Sequence, residues 1–218
     1  EAHRLLSPHG SFFLHLDYRE VHYAKVLCDL IFGRDSFINE IIWSYDYGGR
    51  TRRRWSPKHD NLLWYAKNPK KYTYRYDDID RIPYMAPELV GPAKAARGKT
   101  PTDCWWNTIV SPSGKEKTGY PTQKPLTILE RIVRVHSNPG DRLLDFFAGS
   151  GTFGEAAAKH GRQVVLAEVN LTIEPRAFTG LVGANGSGKS TLLRTLLGIQ
   201  PPLAGRIELR GRDGQTPT

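Results

Sequence analysis

At 218 residues the chain can bury one sizeable core with room for a second, smaller unit. It carries 31 lysines and arginines against 22 aspartates and glutamates, a formal charge of +9. No apolar run approaches the roughly eighteen residues that cross a bilayer, so membrane insertion is excluded and a polyanionic partner is favoured. The two cysteines, Cys28 and Cys104, lack metal-ligand spacing and read as reduced thiols of a soluble, cytoplasmic protein. The chain starts at Glu1 rather than at a methionine, which leads us to expect that upstream sequence is missing.

Residues 11–17 follow a Pro-His-Gly turn and form a short apolar run suited to a buried parallel strand. A helix over residues 18–32 would put Val21, Ala24, Leu27, Cys28 and Ile31 on one face, with Gly33 as its stop. A strand follows at residues 37–43. Residues 44–118 are rich in Gly, Pro, Arg and Tyr and read as an inserted recognition region with short strands, such as residues 61–65, and no long helix. Within them Arg50, Arg52, Arg53, Arg54 and Lys58 head a basic run whose only acid before Arg75 is Asp60. Tyr45, Tyr47, Trp55, Trp64, Tyr65, Tyr72, Tyr74 and Tyr76 are interleaved with it. Cations for phosphates beside flat rings for bases point to nucleic acid, against the alternative of a solvated basic loop.

Residues 124–135 carry the apolar spacing of an amphipathic helix opened by Pro125. Then come a Pro-Gly turn, a strand at 142–145, a glycine loop, a helix at about 153–160 and a strand at 163–168, a βαβ half of a nucleotide-binding sheet. After Asn170 the pattern restarts: a strand at 178–182, a second glycine loop, a helix at 190–197 and a strand at 205–209.

In the first loop, Asp145-Phe146-Phe147-Ala148-Gly149-Ser150-Gly151-Thr152, Gly149 and Gly151 permit a tight turn and close backbone approach to a ligand. Glu168, seventeen positions after Gly151, stands where an acid can accept ribose hydroxyls. At these residues the chain resembles the S-adenosylmethionine-dependent DNA amino-methyltransferases of the permuted class, whose cofactor loop comes late. Gly119-Tyr120-Pro121-Thr122-Gln123-Lys124-Pro125 resembles the family segment that caps the methionine part of the cofactor, and residues 10–43 resemble the stretch between catalytic strand and recognition region. The resemblance spans about residues 1–170. It implies an α/β fold built on an incomplete Rossmann-like methyltransferase sheet. Residues 1–43 would be core, 44–118 target recognition of double-stranded DNA, and 119–170 the cofactor-binding half. It also implies cofactor contacts from Asp145, Phe147, Ala148, Gly149, Ser150, Gly151, Glu168, Thr122, Gln123 and Lys124. The implied reaction is transfer of a methyl group to adenine N6, ahead of cytosine N4.

That chemistry needs Asp, Asn or Ser followed by Pro-Pro and an aromatic, which accept the amino protons and stack on the flipped base. The only Pro-Pro pair is Pro201-Pro202, between Gln200 and Leu203. In the permuted class the motif would precede Glu1. No catalytic residue is therefore assigned, and the polypeptide alone is expected to transfer no methyl group. His15 and Asp17 are the polar groups on the strand nearest the gap, with a packing role favoured. The sheet would lack a central strand, and residues 178–182 could fill its place.

The second loop meets Gly-x-x-x-x-Gly-Lys-Ser with Gly183, Asn185, Gly186, Gly188, Lys189, Ser190 and Thr191. Its amides would cradle phosphates, Lys189 would pair with the β and γ phosphates, and Ser190 would ligate Mg²⁺. Residues 171–213 resemble the start of an ABC-transporter ATPase domain, without the later motifs that hydrolysis requires, so weak ATP and Mg²⁺ binding is the most this tail implies. Two other classes stay open: an ATP-binding ABC-type fragment and a non-enzymatic DNA-binding module.

Overall fold

The computed structural model describes residues 2–111, 113–118, 120 and 122–166. A single turn, α1 (Ala2–Leu5), leads to β1 (Ser11–Asp17), α2 (Val21–Phe32), β2 (Phe37–Ser44) and β3 (His59–Ala66). Then come α3 (Pro92–Arg97), β4 (Cys104–Trp106), α4 (Leu126–His136), β5 (Arg142–Asp145), α5 (Thr152–Lys159) and β6 (Gln163–Leu166).

The strands form two sheets. One runs in the order β1-β3-β2-β4, and the other is the parallel pair β5-β6. Residues 142–145 and the helix after the glycine loop stand where their sequence pattern puts them. β1 differs: it pairs antiparallel with β3, from Ser11 opposite Ala66 to Asp17 opposite Asp60. A buried apolar run fixes burial but carries no information on the direction of its neighbour. β3 also lies between β1 and β2, so residues 59–66, inside the stretch expected as a recognition insert, supply a central core strand.

Side chains alternate across this sheet with the two-residue period of a strand. Leu16, Leu63 and Tyr65 pack on one face with Val21, Ala24, Cys28 and Phe32 of α2. Ile41, Trp43, Leu62 and Trp105 meet Ile128 and Ile132 of α4 on the other. The buried stripe of α2 is thus narrower than expected, because Leu27 and Ile31 are each 50% exposed and Phe32 takes their place against Phe12 and Tyr65. Apolar residues lie around most of this helix, so periodicity alone could not select the packed side. Gly33 ends it at φ 85°, a left-handed conformation that favours glycine. Cys28 is buried and free, and burial pushes its thiol up to about 11.

α4 joins the sheets. While Ile128 and Ile132 face the first, Leu126 and Val133 share a cluster with Ala156, Phe153 and Leu143 around the second. No helix among the described residues is long and apolar enough to cross a membrane.

Candidate functional site

The first glycine loop leaves the carboxyl end of β5. Its turn is set by Gly149 at φ 52° and Gly151 at φ 77°, with the Gly151 amide donating to the Ala148 carbonyl at 2.7 Å. Gly151 caps α5, and nothing lies within 4 Å of where its Cβ would be. A side chain there would be strained by φ and would project into that open space. Asp145 Oδ1 accepts the Phe147 amide at 2.9 Å. Burial nonetheless raises this carboxyl above the usual range, and among the described residues no lysine or arginine pairs with it. A desolvated carboxylate at a strand end, facing a glycine turn, is suited to receive a cationic ligand group. Ser150 Oγ lies 2.7 Å from Thr152 Oγ1, and Phe147 and Gly149 are exposed.

A second cluster forms where β1 ends beside β3. His15 Nε2 donates to Asp60 Oδ2 at 2.9 Å, and the Tyr45 hydroxyl donates to Asp60 Oδ1 at 3.2 Å. Burial holds His15 below its ordinary value, so at neutral pH it is an uncharged donor. Burial opposes ionisation of Asp60, but the His15 hydrogen bond and the nearby Lys124 charge outweigh it and its carboxyl titrates low. Tyr45 is pushed up to about 12 by burial and by the Asp60 charge. Lys124 is lowered by burial, with Asp60 and Asp17 acting in the opposite direction. Asp17 is held low mainly by Arg19, which binds it through guanidinium and backbone amide.

Apart from His15, these groups bound a cleft of about 350 Å³ that includes Asp17, Arg19, Tyr45, Asp60, Thr122 and Lys124. Its mixed charge fits a zwitterionic amino-acid head. Of the residues expected at a cofactor, Thr122 and Lys124 line this cleft. Gln123 is instead spent on its own loop: its Oε1 accepts from the Thr118 amide at 2.8 Å and its Nε2 donates to the Glu116 carbonyl at 2.6 Å. Glu168 and the P-loop residues 183–191 lie outside the described residues, as do residues 119 and 121 and the strand expected at 178–182.

The basic residues divide in the same way. Arg52, Arg53 and Arg54 are exposed, whereas Arg50 is paired with Asp46 and Lys58 turns its ammonium onto the Tyr47 and Gly49 carbonyls. Lys58 therefore closes the loop from within. A second, more open cavity of about 570 Å³ lies against this loop, bounded by Tyr45, Arg50, Lys58 and Trp106 among others. Asp60 was not expected as a site residue, and Tyr45 was expected only as one of the rings interleaved with the basic run. The available signal was the spacing of His15 and Asp17, two positions apart on one strand face, but the residue that His15 binds lies 45 positions away.

A family model described as DNA methylase matches residues 1–178, and one described as ABC transporter matches residues 166–218, so the two overlap at 166–178. The type II methyltransferase M.HpaI of Haemophilus parainfluenzae is 32% identical over 170 residues, covering 78% of this chain and 52% of that protein. The crystal structure of an M1.HpyAVI–SAM complex is 27% identical with a TM-score of 0.52, covering 73% of this chain and 68% of that one. At the C-terminal end, the zinc import ATP-binding protein ZnuC of Cereibacter sphaeroides is 54% identical over 54 residues, 25% of this chain and 22% of that protein. The chain spans between about half and three-fifths of the length of the curated methyltransferases it matches.

Proposed function

Because the chain belongs to the DNA methylase family, we propose that it binds S-adenosylmethionine and double-stranded DNA in the cytoplasm. Its reaction is methyl transfer to an exocyclic amino group, adenine N6 ahead of cytosine N4. The observation that carries this reading is Asp145, a desolvated carboxylate without a cationic partner among the described residues, at the mouth of a left-handed glycine turn. The α-ammonium of an amino-acid head meets that need. The cofactor supplies an electrophilic methyl group on a sulfonium.

This chain's own residues bind and orient it. Asp145 and the backbone of residues 147–151 line the loop side. Thr122 and Lys124, which line a cleft together with Asp17 and Asp60, offer further polar contacts. The ribose role of Glu168 rests on its sequence position. Arg52, Arg53 and Arg54 contact phosphates. No Asp-Pro-Pro-Tyr-like motif stands among these residues to accept the amino protons of a base.

Titration calorimetry with S-adenosylmethionine tests the reading. Binding by the wild type and a loss of about tenfold or more in Asp145→Asn support it, since a charge-assisted hydrogen bond is worth about 1.5–3 kcal/mol. A wild-type chain that takes up no cofactor sinks it. Incubation with mixed-sequence DNA and methyl-labelled cofactor tests the acceptor, and label found on cytosine N4 rather than adenine N6 would overturn that order. The match over residues 166–218 favours a second reading, weak Mg²⁺-dependent ATP binding through Lys189 and Ser190. It predicts ATP uptake that Lys189→Ala abolishes.

A further inference from the structure

The loop from Tyr45 to Lys58 is tied down at its base and along its length. The Tyr45 amide donates to the Lys58 carbonyl at 2.9 Å, closing the neck, while Lys58 Nζ donates to two carbonyls across the loop. Nearer the tip, the Thr51 amide donates to Ser56 Oγ at 2.9 Å and the Arg53 amide to Thr51 Oγ1 at 3.2 Å. Arg54 rests on Tyr18, donating to its hydroxyl at 3.1 Å with the guanidinium 5.8 Å from the ring centre. On this braced loop Trp55 is 97% exposed, whereas Trp43, Trp64 and Trp105 are buried.

An indole held in water on a fixed scaffold forgoes a large apolar burial, and aromatics of this kind gain most when they find a flat apolar partner. Arg52, Arg53 and Arg54 precede it directly and are all exposed. An apolar protein surface would leave three adjacent guanidinium groups without counter-charges. A duplex satisfies both at once, offering phosphates to the arginines and a base stack to the ring.

We propose that Trp55 is a wedge that enters the DNA duplex and stacks on the bases beside the one that leaves the helix. Removing a base from the stack opens a gap whose neighbours lose a stacking partner, and the indole replaces it. The arginines set the depth and register of entry, and the short hydrogen-bonded loop keeps the ring extended before contact. This inference rests on the DNA-binding reading above and adds to it the residue that deforms the helix.

The test uses the full chain, Trp55→Ala and Trp55→Phe, titrated against a mixed-sequence duplex with 2-aminopurine at dispersed positions. Fluorescence anisotropy gives affinity and its salt dependence, and 2-aminopurine emission reports unstacking. The wild type should brighten the probe. Trp55→Ala should bind about tenfold more weakly with an unchanged salt slope and no brightening, while Trp55→Phe keeps most of both. Arg52→Ala should instead reduce the magnitude of the negative slope of log affinity against log salt by about 0.9. Because Trp55 packs against nothing that folding requires, these variants retain the fold. A Trp55→Ala chain that binds and brightens like the wild type overturns the wedge and leaves DNA binding intact. A wild-type chain with no salt-sensitive affinity for the duplex overturns both.

Discussion

Asp17 and Asp60 lie directly opposite each other where β1 meets β3, and like charges in that register repel. They are accommodated because Arg19 binds the first while His15 and Tyr45 hydrogen-bond the second, with the Lys124 charge nearby. The same two carboxylates favour the protonated form of Lys124, which burial opposes. This gives a pH prediction with a definite sign. Burial has already lowered the Lys124 pKa, so cofactor affinity that depends on its charge is present at low pH and lost as pH rises through that depressed value. Asp60→Asn removes a group that raises it, and the loss should move to lower pH. Titrating S-adenosylmethionine from about pH 6 to about pH 10 checks this, and coincident profiles would count against it. Lys124 could be singled out from its motif, but the influence of Asp60 on it could not, because the two residues lie 64 positions apart in the chain.

Among the elements, α4 carries the connection between the sheets. Ile132 is buried against Ile41, Trp43 and Trp105, and Ile132→Ala should destabilise the protein by about 2–5 kcal/mol in urea unfolding. Asp80 reinforces the same helix from outside by binding Arg131 and Arg134. At its last residue, His136 is packed among Phe13, Trp64 and Tyr74 at centroid distances of 4.8, 4.3 and 5.5 Å, and its Nδ1 has no partner among the described residues. Burial pushes it down to about 3, from 6.5 when unfolded. The unfolded chain therefore binds more protons through that window. Stability contributed by the neutral ring is present above about pH 6.5 and falls toward about pH 3, with a slope of up to about 1.4 kcal/mol per pH unit. His136→Phe should remove that part of the slope, measured as the difference between the two proteins' urea stabilities across the range. The amphipathic spacing of α4 was legible in the sequence. That its two sides serve two sheets was not, since a helical pattern shows what is apolar and not what it meets.

Over the whole molecule, the formal charge of +9 favours polyanions at long range, but only part of the basic run is available for contact. Exchanging Arg52 and Arg53 together for alanine should reduce the magnitude of the negative slope of log affinity against log salt by about 1.8 for duplex DNA. Arg50→Ala should change it less, because Arg50 already has Asp46 as a partner. Matched salt titrations of the two variants separate these expectations. The sequence by itself determined the β5–glycine loop–α5–β6 unit, the two glycine-rich motifs and the change of pattern near residue 170. Each depends on neighbours within a few positions, where backbone conformation and apolar spacing are written locally. Only the tertiary structure decided that β3 is a central strand, that β1 runs antiparallel to it, and that Tyr45, Asp60 and Lys124 line one cleft with His15 hydrogen-bonded to Asp60. Those outcomes depend on the register of strands far apart in the chain, and register decides which charges become neighbours after water has been excluded.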